Sequence, residues 1–207
     1  MQPPLWTPPP ANIREMQALV RRVEHLLEMV RMERNRRDTA NAKVIGSIDT
    51  VLETLEAELE ATRKAIHDHI DKHPDLKQRG DLLSTIPAGI GEATIAHRLV
   101  APGNHHGFTS AKQVVAFAGL ATAPRQSGQW SGNTHIAKTG GALLRKALYM
   151  PALCALRFNP PIRAFSLRLK ANGKNGKAIA CAAMRKLIHI ALGVLKSGKP
   201  FDPNYAV

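Results

Sequence analysis

The second half of this 207-residue chain is almost without carboxylates. No Asp or Glu occurs between Glu92 and Asp202, and residues 82 to 207 carry 16 Lys and Arg against 2 Asp and Glu, net +14. Residues 1 to 81 hold 13 basic and 14 acidic side chains, net −1, so the formal charge of +13 belongs to the second half. Metal-dependent phosphodiester cleavage needs clustered acidic ligands, and residues 93 to 201 offer none. Cations without carboxylate neighbours must find their anions elsewhere, and polyphosphate is the natural candidate. Cysteine is equally scarce: Cys154 and Cys181 stand singly on expected helices, with no Cys-x-x-Cys pair, and read as core residues rather than a disulfide. Two Trp, two Tyr and five Phe, set against abundant Ala and Leu, favour helices over a β sandwich. The longest purely apolar run, Ala147 to Leu156, is too short to span a bilayer. The Pro-rich start up to Pro10 lacks the basic beginning and apolar core of a secretory signal. The expectation is a mainly α, cytoplasmic protein with no membrane partner.

Met16, Leu19, Val23, Leu26 and Val30 recur at spacings of three and four and fall on one helical stripe. Ile45, Ile48, Leu52, Leu55, Leu59 and Ile66 keep heptad spacing with Thr62 as the polar member, the pattern of a coiled coil. The basic stretch Arg31 to Arg37 and then Gly46 either continue the helix or break it. An intramolecular hairpin and a dimer seam both satisfy the stripes, and in either case residues 1–80 form a spacer or oligomerisation arm. His73-Pro74 ends the pattern, and Lys77 to Asp81 reads as a polar connection, placing the domain boundary near residue 80.

The second domain, 81–207, is expected to be a compact basic helical unit. Leu82 to Val100 reads as two short helices around a Pro87-Ala88-Gly89-Ile90-Gly91 turn. A helix beginning at Ser110 carries a capping box with Gln113 and stops at Gly119. A long polar loop, Ala121 to Gly141, precedes three helices over Ala142 to Arg157, Ile162 to Ala171 and Lys177 to Lys196.

Several constellations bear on chemistry. Gly89 and Gly91, in a tight turn between helices, resemble the hairpin of a helix-hairpin-helix module, where backbone N–H groups face a DNA phosphate; the plain alternative is an ordinary helical turn. Gly173-Lys174-Asn175-Gly176-Lys177 lacks the spacing and the preceding strand of a nucleotide-binding loop, which leaves Lys174 and Lys177 as phosphate contacts or a solvated basic turn. His67 and His69 are two apart and face different ways on a helix, while His69 and His73 lie on a charged face, so no metal is expected within the chain. Without carboxylates, phosphodiester attack requires a side-chain nucleophile assisted by cations. Ser127 sits in the polar loop with Arg125, Lys138, Arg145 and Lys146 close in sequence, and Trp130 is placed to pack against a base or sugar. A loop serine is more often a turn former, and Ser131 and Tyr149 are rival nucleophiles.

The ordered series Ile86-Pro87…Gly89-Ile90-Gly91, Phe108 to Gln113, Phe117 to Leu120, Ser127-Gly128, Ile136 to Gly140 and Leu144 to Met150 resembles one family. It continues through Asn159-Pro160, Met184-Arg185-Lys186-Leu187 and Lys196 to Pro203. That family is the IS110/IS116 group of insertion-sequence transposases, the bridge-RNA-guided recombinases, and the resemblance covers their coiled-coil arm and carboxy-terminal domain.

The resemblance implies insertion-sequence DNA transposition in which Ser127, followed by Gly128, forms a covalent phosphoserine with DNA, and Arg125 and Lys138 stabilise charge. Arg145, Lys146, Lys174, Lys177, Arg185 and Lys186 join Gly89 and Gly91 as candidate nucleic-acid contacts. It further implies DNA and guide-RNA partners, a homo-oligomer through residues 16–70 and a nucleoid-associated bacterial location. Two departures stand out: Ala88 interrupts the family's Pro-Gly pair, and no RuvC-like domain with its four metal-binding acids precedes residue 1. The expectation is a truncated or partial transposase with no cofactor of its own, Mg belonging to the missing acidic domain, and unable to recombine DNA unaided. The alternative is a non-catalytic DNA- or RNA-binding remnant or regulator of transposition.

Overall fold

A computed structural model describes residues 8–87, 108, 110–123, 126–127, 130–132, 135–137 and 139–204. It divides into two units, Met1–Lys77 and Gln78–Val207.

In the first unit, α1 (Ala11–Thr39) and α2 (Ala42–Lys72) are joined by Ala40 and Asn41 alone, so the two must run antiparallel. The basic run from Arg31 to Arg37 therefore continues the helix, and Arg36 and Arg37 in the last turn suit the negative end of the helix dipole. Asn41 caps α2 by accepting the Lys43 N–H at 3.0 Å. The seam is internal to the hairpin: Ile13, Met16, Val20, Val23, Leu26 and Val30 of α1 are buried, as are Leu52, Leu55, Leu59 and Ile66 of α2. The stripe on α1 differs from the expected one at one place. Val20 is buried and Leu19 only half-buried, because the stripe begins a turn earlier, at Ile13, and advances from there in steps of three and four. Thr62 resolves its own polarity, its hydroxyl donating to the Glu58 carbonyl at 2.8 Å. Arg34 reaches Glu56 at 2.7 Å and Arg37 reaches Asp49 at 2.5 Å, exposed cross-helix pairs that contribute little energy but agree with the antiparallel register. At the open end the His69 Nε2–H donates to the Asn12 carbonyl at 2.8 Å, and the His73 ring packs against His69 with centroids 4.3 Å apart and planes tilted by 38°.

His73 is the C-cap of α2, and Pro74, which has no N–H to give, opens α3 (Pro74–Ser84). The polar run Lys77 to Asp81 is thus helical, not a connection; Asp75 and Pro74 suit a first turn, and Leu76 and Leu83, seven apart, are both fully buried.

The second unit is built around α7 (Gly176–Ser197), which packs against α4 (Ala111–Phe117), α5 (Ala142–Phe158) and α6 (Pro160–Ala171). Ala152 and Ala155 of α5 and Ala183 and Ala191 of α7 are buried, and such small residues let helix backbones approach. Leu144, Leu148, Ile162, Met184, Leu187 and Ile188 belong to the same core, which Leu83, Ile86, Val114, Val115 and Leu120 extend. By length and composition α7 is apolar enough to cross a membrane, yet over half of it is buried inside the domain, as befits a central core helix. Asn159, wholly buried, ends α5 and caps α6, accepting the Ile162 N–H at 3.2 Å. Cys181 is half-buried but Cys154 is exposed, contrary to the expectation of a core position, because α5 turns its Ala152 and Ala155 face inward.

Candidate functional site

The polar stretch after α4 is not wholly loop. β1 (Thr122–Ala123) pairs antiparallel with β4 (His135–Ile136), and β2 (Gln126–Ser127) with β3 (Trp130–Ser131), so one pair nests inside the other. Ser127 stands opposite Trp130, with two residues between them in sequence, and its side chain is exposed.

The base of this hairpin is fastened to the C-terminal end of α4. The helix begins with the expected capping box, Ser110 accepting the Gln113 N–H and Gln113 accepting that of Ser110. It ends at Ala118 and Gly119, the latter at φ 66°, a left-handed conformation that glycine adopts without cost. Ala137 N–H donates to the Ala121 carbonyl at 2.8 Å, continuing the β1–β4 pairing. Gly141 N–H donates to the Phe117 carbonyl at 2.6 Å. Gly140 adopts φ +127°, and a Cβ there would lie 2.3 Å from the Phe117 oxygen, so only glycine lets the returning strand come this close. Arg145 then donates through Nη1 to the Ala118 carbonyl at 2.9 Å, placing a cation at the negative end of α4.

Arg145, expected among the nucleic-acid contacts, is therefore half-buried and engaged within the fold. Lys146, beside it, is exposed on α5, as is the rival nucleophile Tyr149. Among the described residues no hydrogen bond to the Ser127 hydroxyl is found. Arg125, Lys138, Gly89 and Gly91 lie outside the described residues, as does the helix-hairpin-helix-like turn.

Lys174 and Lys177 are exposed where α6 gives way to α7. Gly173 turns the chain at φ +72°, and Asn175 caps α7 by accepting the Ala178 N–H at 2.8 Å. The two lysines are thus presented to solvent next to the positive end of a helix dipole.

Arg185 and Lys186 lie half-buried on α7, one helical turn before His189. Burial first, and then the charges of Lys186, Arg185 and Lys112, hold His189 below the ordinary histidine range. Lys112 comes from the first turn of α4, so the charge felt by this imidazole includes one from a different helix. Sequence reasoning missed His189 and Lys112. The spacing from Arg185 to His189 placed them on one helix face, but nothing in the sequence linked Lys112 to it. Among the described residues no group of three or more His, Cys, Asp or Glu is arranged to hold a metal ion.

Residues 80–167 match the family model described as Transposase IS116/IS110/IS902 family. The chain is 35% identical over 202 residues to the pilin gene-inverting protein of Moraxella bovis, a match that covers 97% of this chain and 62% of that protein. The pilin gene-inverting protein of Moraxella lacunata matches to the same extent, at 35% over 202 residues. An insertion element IS110 uncharacterized 43.6 kDa protein of Streptomyces coelicolor is 26% identical over 160 residues, covering 76% of this chain and 39% of the relative. The chain thus spans roughly three fifths of the length of the two Moraxella proteins and two fifths of the Streptomyces one.

Proposed function

We propose that the chain is a member of the IS116/IS110/IS902 transposase family, which residues 80–167 match, and that its basic domain binds DNA during strand cutting and rejoining, with Ser127 as the nucleophile. The observation that carries this reading is an exposed Ser127 on a hairpin pinned at its base by Gly140 and Arg145, in a domain with no carboxylate from residue 93 to 201.

In the proposed step the Ser127 hydroxyl gives up its proton and Oγ attacks a DNA phosphorus. The Oγ–P bond forms as a P–O bond to deoxyribose breaks, and the departing deoxyribose oxygen takes up a proton to become a hydroxyl. Attack by an incoming DNA hydroxyl reverses the step and frees Ser127. Cations offset the charge that builds on the phosphate, a part we assign to Arg125 and Lys138.

A divalent metal does not fit this domain's own residues, which lack the carboxylates to bind it. In this reading Mg is held by a carboxylate-rich RuvC-like domain, in the same polypeptide or another, and recombination depends on that domain. The partners are DNA, a structured guide RNA and further copies of the chain through residues 16–70, acting in the cytoplasm where bacterial DNA lies. Because the hairpin seam is closed internally, contacts between copies would use its outer face, where Met29, Met32, Val44 and Val51 are exposed.

The test is a covalent one. Labelled target DNA is incubated with the chain, a full-length relative and guide RNA, and protein–DNA adducts are sought after denaturation. Adducts should form on this chain, vanish in Ser127→Ala and persist in Ser131→Ala and Tyr149→Phe. Absence of an adduct under every condition would overturn the nucleophile and leave a binding module or regulator.

A further inference from the structure

Two neighbouring clefts along α6 and α7 of the basic domain have Phe165 and Lys186 in common, and the two together are termed the groove. The wider part, about 580 Å³, also has Arg168 and Phe201 on its walls. The narrower part, about 370 Å³, is lined by Phe165, Ala182, Arg185, Lys186 and His189. The guanidinium of Arg168 lies 5.5 Å from the centre of the Phe165 ring, so the groove presents an aromatic plane paired with a planar cation. Asp202 is the one carboxylate in the lining, and its Oδ1 already accepts the Asn204 N–H at 2.8 Å.

The mixture of groups selects among occupants. A duplex presents phosphates but keeps its base faces stacked, so it would use the cations and leave the ring idle. An acidic peptide would do the same. An unpaired nucleotide uses both, laying its base on an aromatic or guanidinium plane while its phosphates meet cations. We propose that this groove holds an unpaired nucleotide of a nucleic-acid strand, with the base against Phe165 and Arg168 and the phosphates at Arg185 and Lys186. The proposal rests on the reading that the basic domain binds nucleic acid and adds the state of the strand it takes.

The experiment measures fluorescence anisotropy of the full chain with thymidine and uridine oligomers of roughly 12 nucleotides, a blunt duplex of the same length, and polyglutamate as competitor. Phe165→Leu keeps an apolar side chain but removes the π face. It should weaken single-strand binding about tenfold, by loss of one stacked base, and leave duplex binding unchanged. The oligomer that responds more strongly identifies the strand as DNA or RNA. Ala182→Gln, at a half-buried position on the wall of the narrower cleft, should block that cleft with the same selectivity, and it stands in if Phe165→Leu fails to melt like the parent. Equal loss for single strand and duplex, no loss in either variant, or displacement by polyglutamate as effective as by unlabelled oligomer would overturn the groove's role. If neither oligomers nor duplex bind at all, the nucleic-acid reading fails as well; duplex binding with an unresponsive single strand removes only the groove.

Discussion

Replacing Gly140 with alanine tests whether the Ser127 hairpin is held in place from its base. The new Cβ would lie 2.3 Å from the Phe117 oxygen and 3.0 Å from its carbonyl carbon, both backbone atoms that no rotamer change can move. The φ of +127° adds the strain of a conformation that L residues rarely adopt, of order 1–3 kcal/mol. Moving the Phe117 carbonyl away would also disturb the bond it accepts from Gly141, worth about 1 kcal/mol net. Together these come to about 3 kcal/mol, or roughly 10 °C in Tm for a domain of this size. Three other glycines grade the effect. Gly173→Ala meets nothing within 4 Å but has φ +72°, and should cost about 1 kcal/mol. Gly141→Ala meets the Phe117 ring at 3.3 Å, a side chain able to shift, and should cost less than about 1 kcal/mol. Gly193→Ala, inside α7 with open space around it, should stabilise by up to about 1 kcal/mol. Thermal melts by circular dichroism give the order directly. A Gly140→Ala protein that melts within about 2 °C of the parent, less than 1 kcal/mol allows, refutes the close approach of the returning strand to α4.

Three further outcomes are expected. Affinity for duplex DNA should fall with salt at a slope near −5 on logarithmic axes if about six phosphates are contacted, and a flat response would exclude a polyphosphate partner. His189 titrates below its unfolded value of 6.5, so between the two values the unfolded chain binds more protons. Stability should therefore be full above that value and fall as the pH drops through the folded one; melts across this window should lose part of their slope in His189→Gln, and an unchanged slope would remove the cationic cluster as the cause. Ser110→Ala should lower stability by about 1 kcal/mol through loss of the α4 capping box, whereas Ser110→Asp should keep it, a difference read by urea denaturation.

The elements that were legible in the sequence are those whose signals are local. The stripe from Ile45 to Ile66 required only counting, and Ser110 with Gln113 at one end and Gly119 at the other marked α4 through their own side chains and backbone preferences. Where expectation and structure part, a local signal competed with a neighbouring one. Lys77 to Asp81 is polar enough for a loop, yet Pro74 and Asp75 start a helix just before it and Leu76 and Leu83 anchor the helix on either side. The strands around Ser127 are two residues each, too short for any alternation to register in a polar run. The charge of Arg145 is visible in sequence, while the Ala118 carbonyl to which it donates is brought beside it only by the fold.

Composition, periodicity and motif order are properties of the chain read in line, so the basic, carboxylate-poor character of the second domain, its helical class and its family likeness were all visible without a fold. Tertiary structure alone decided that the coiled-coil seam closes within one hairpin, that Gly140 brings the Ser127 hairpin onto the end of α4, and that the charge felt by His189 includes that of Lys112. Each of these depends on a distance between residues far apart in the chain, and such distances are set by how helix faces pack rather than by any local preference.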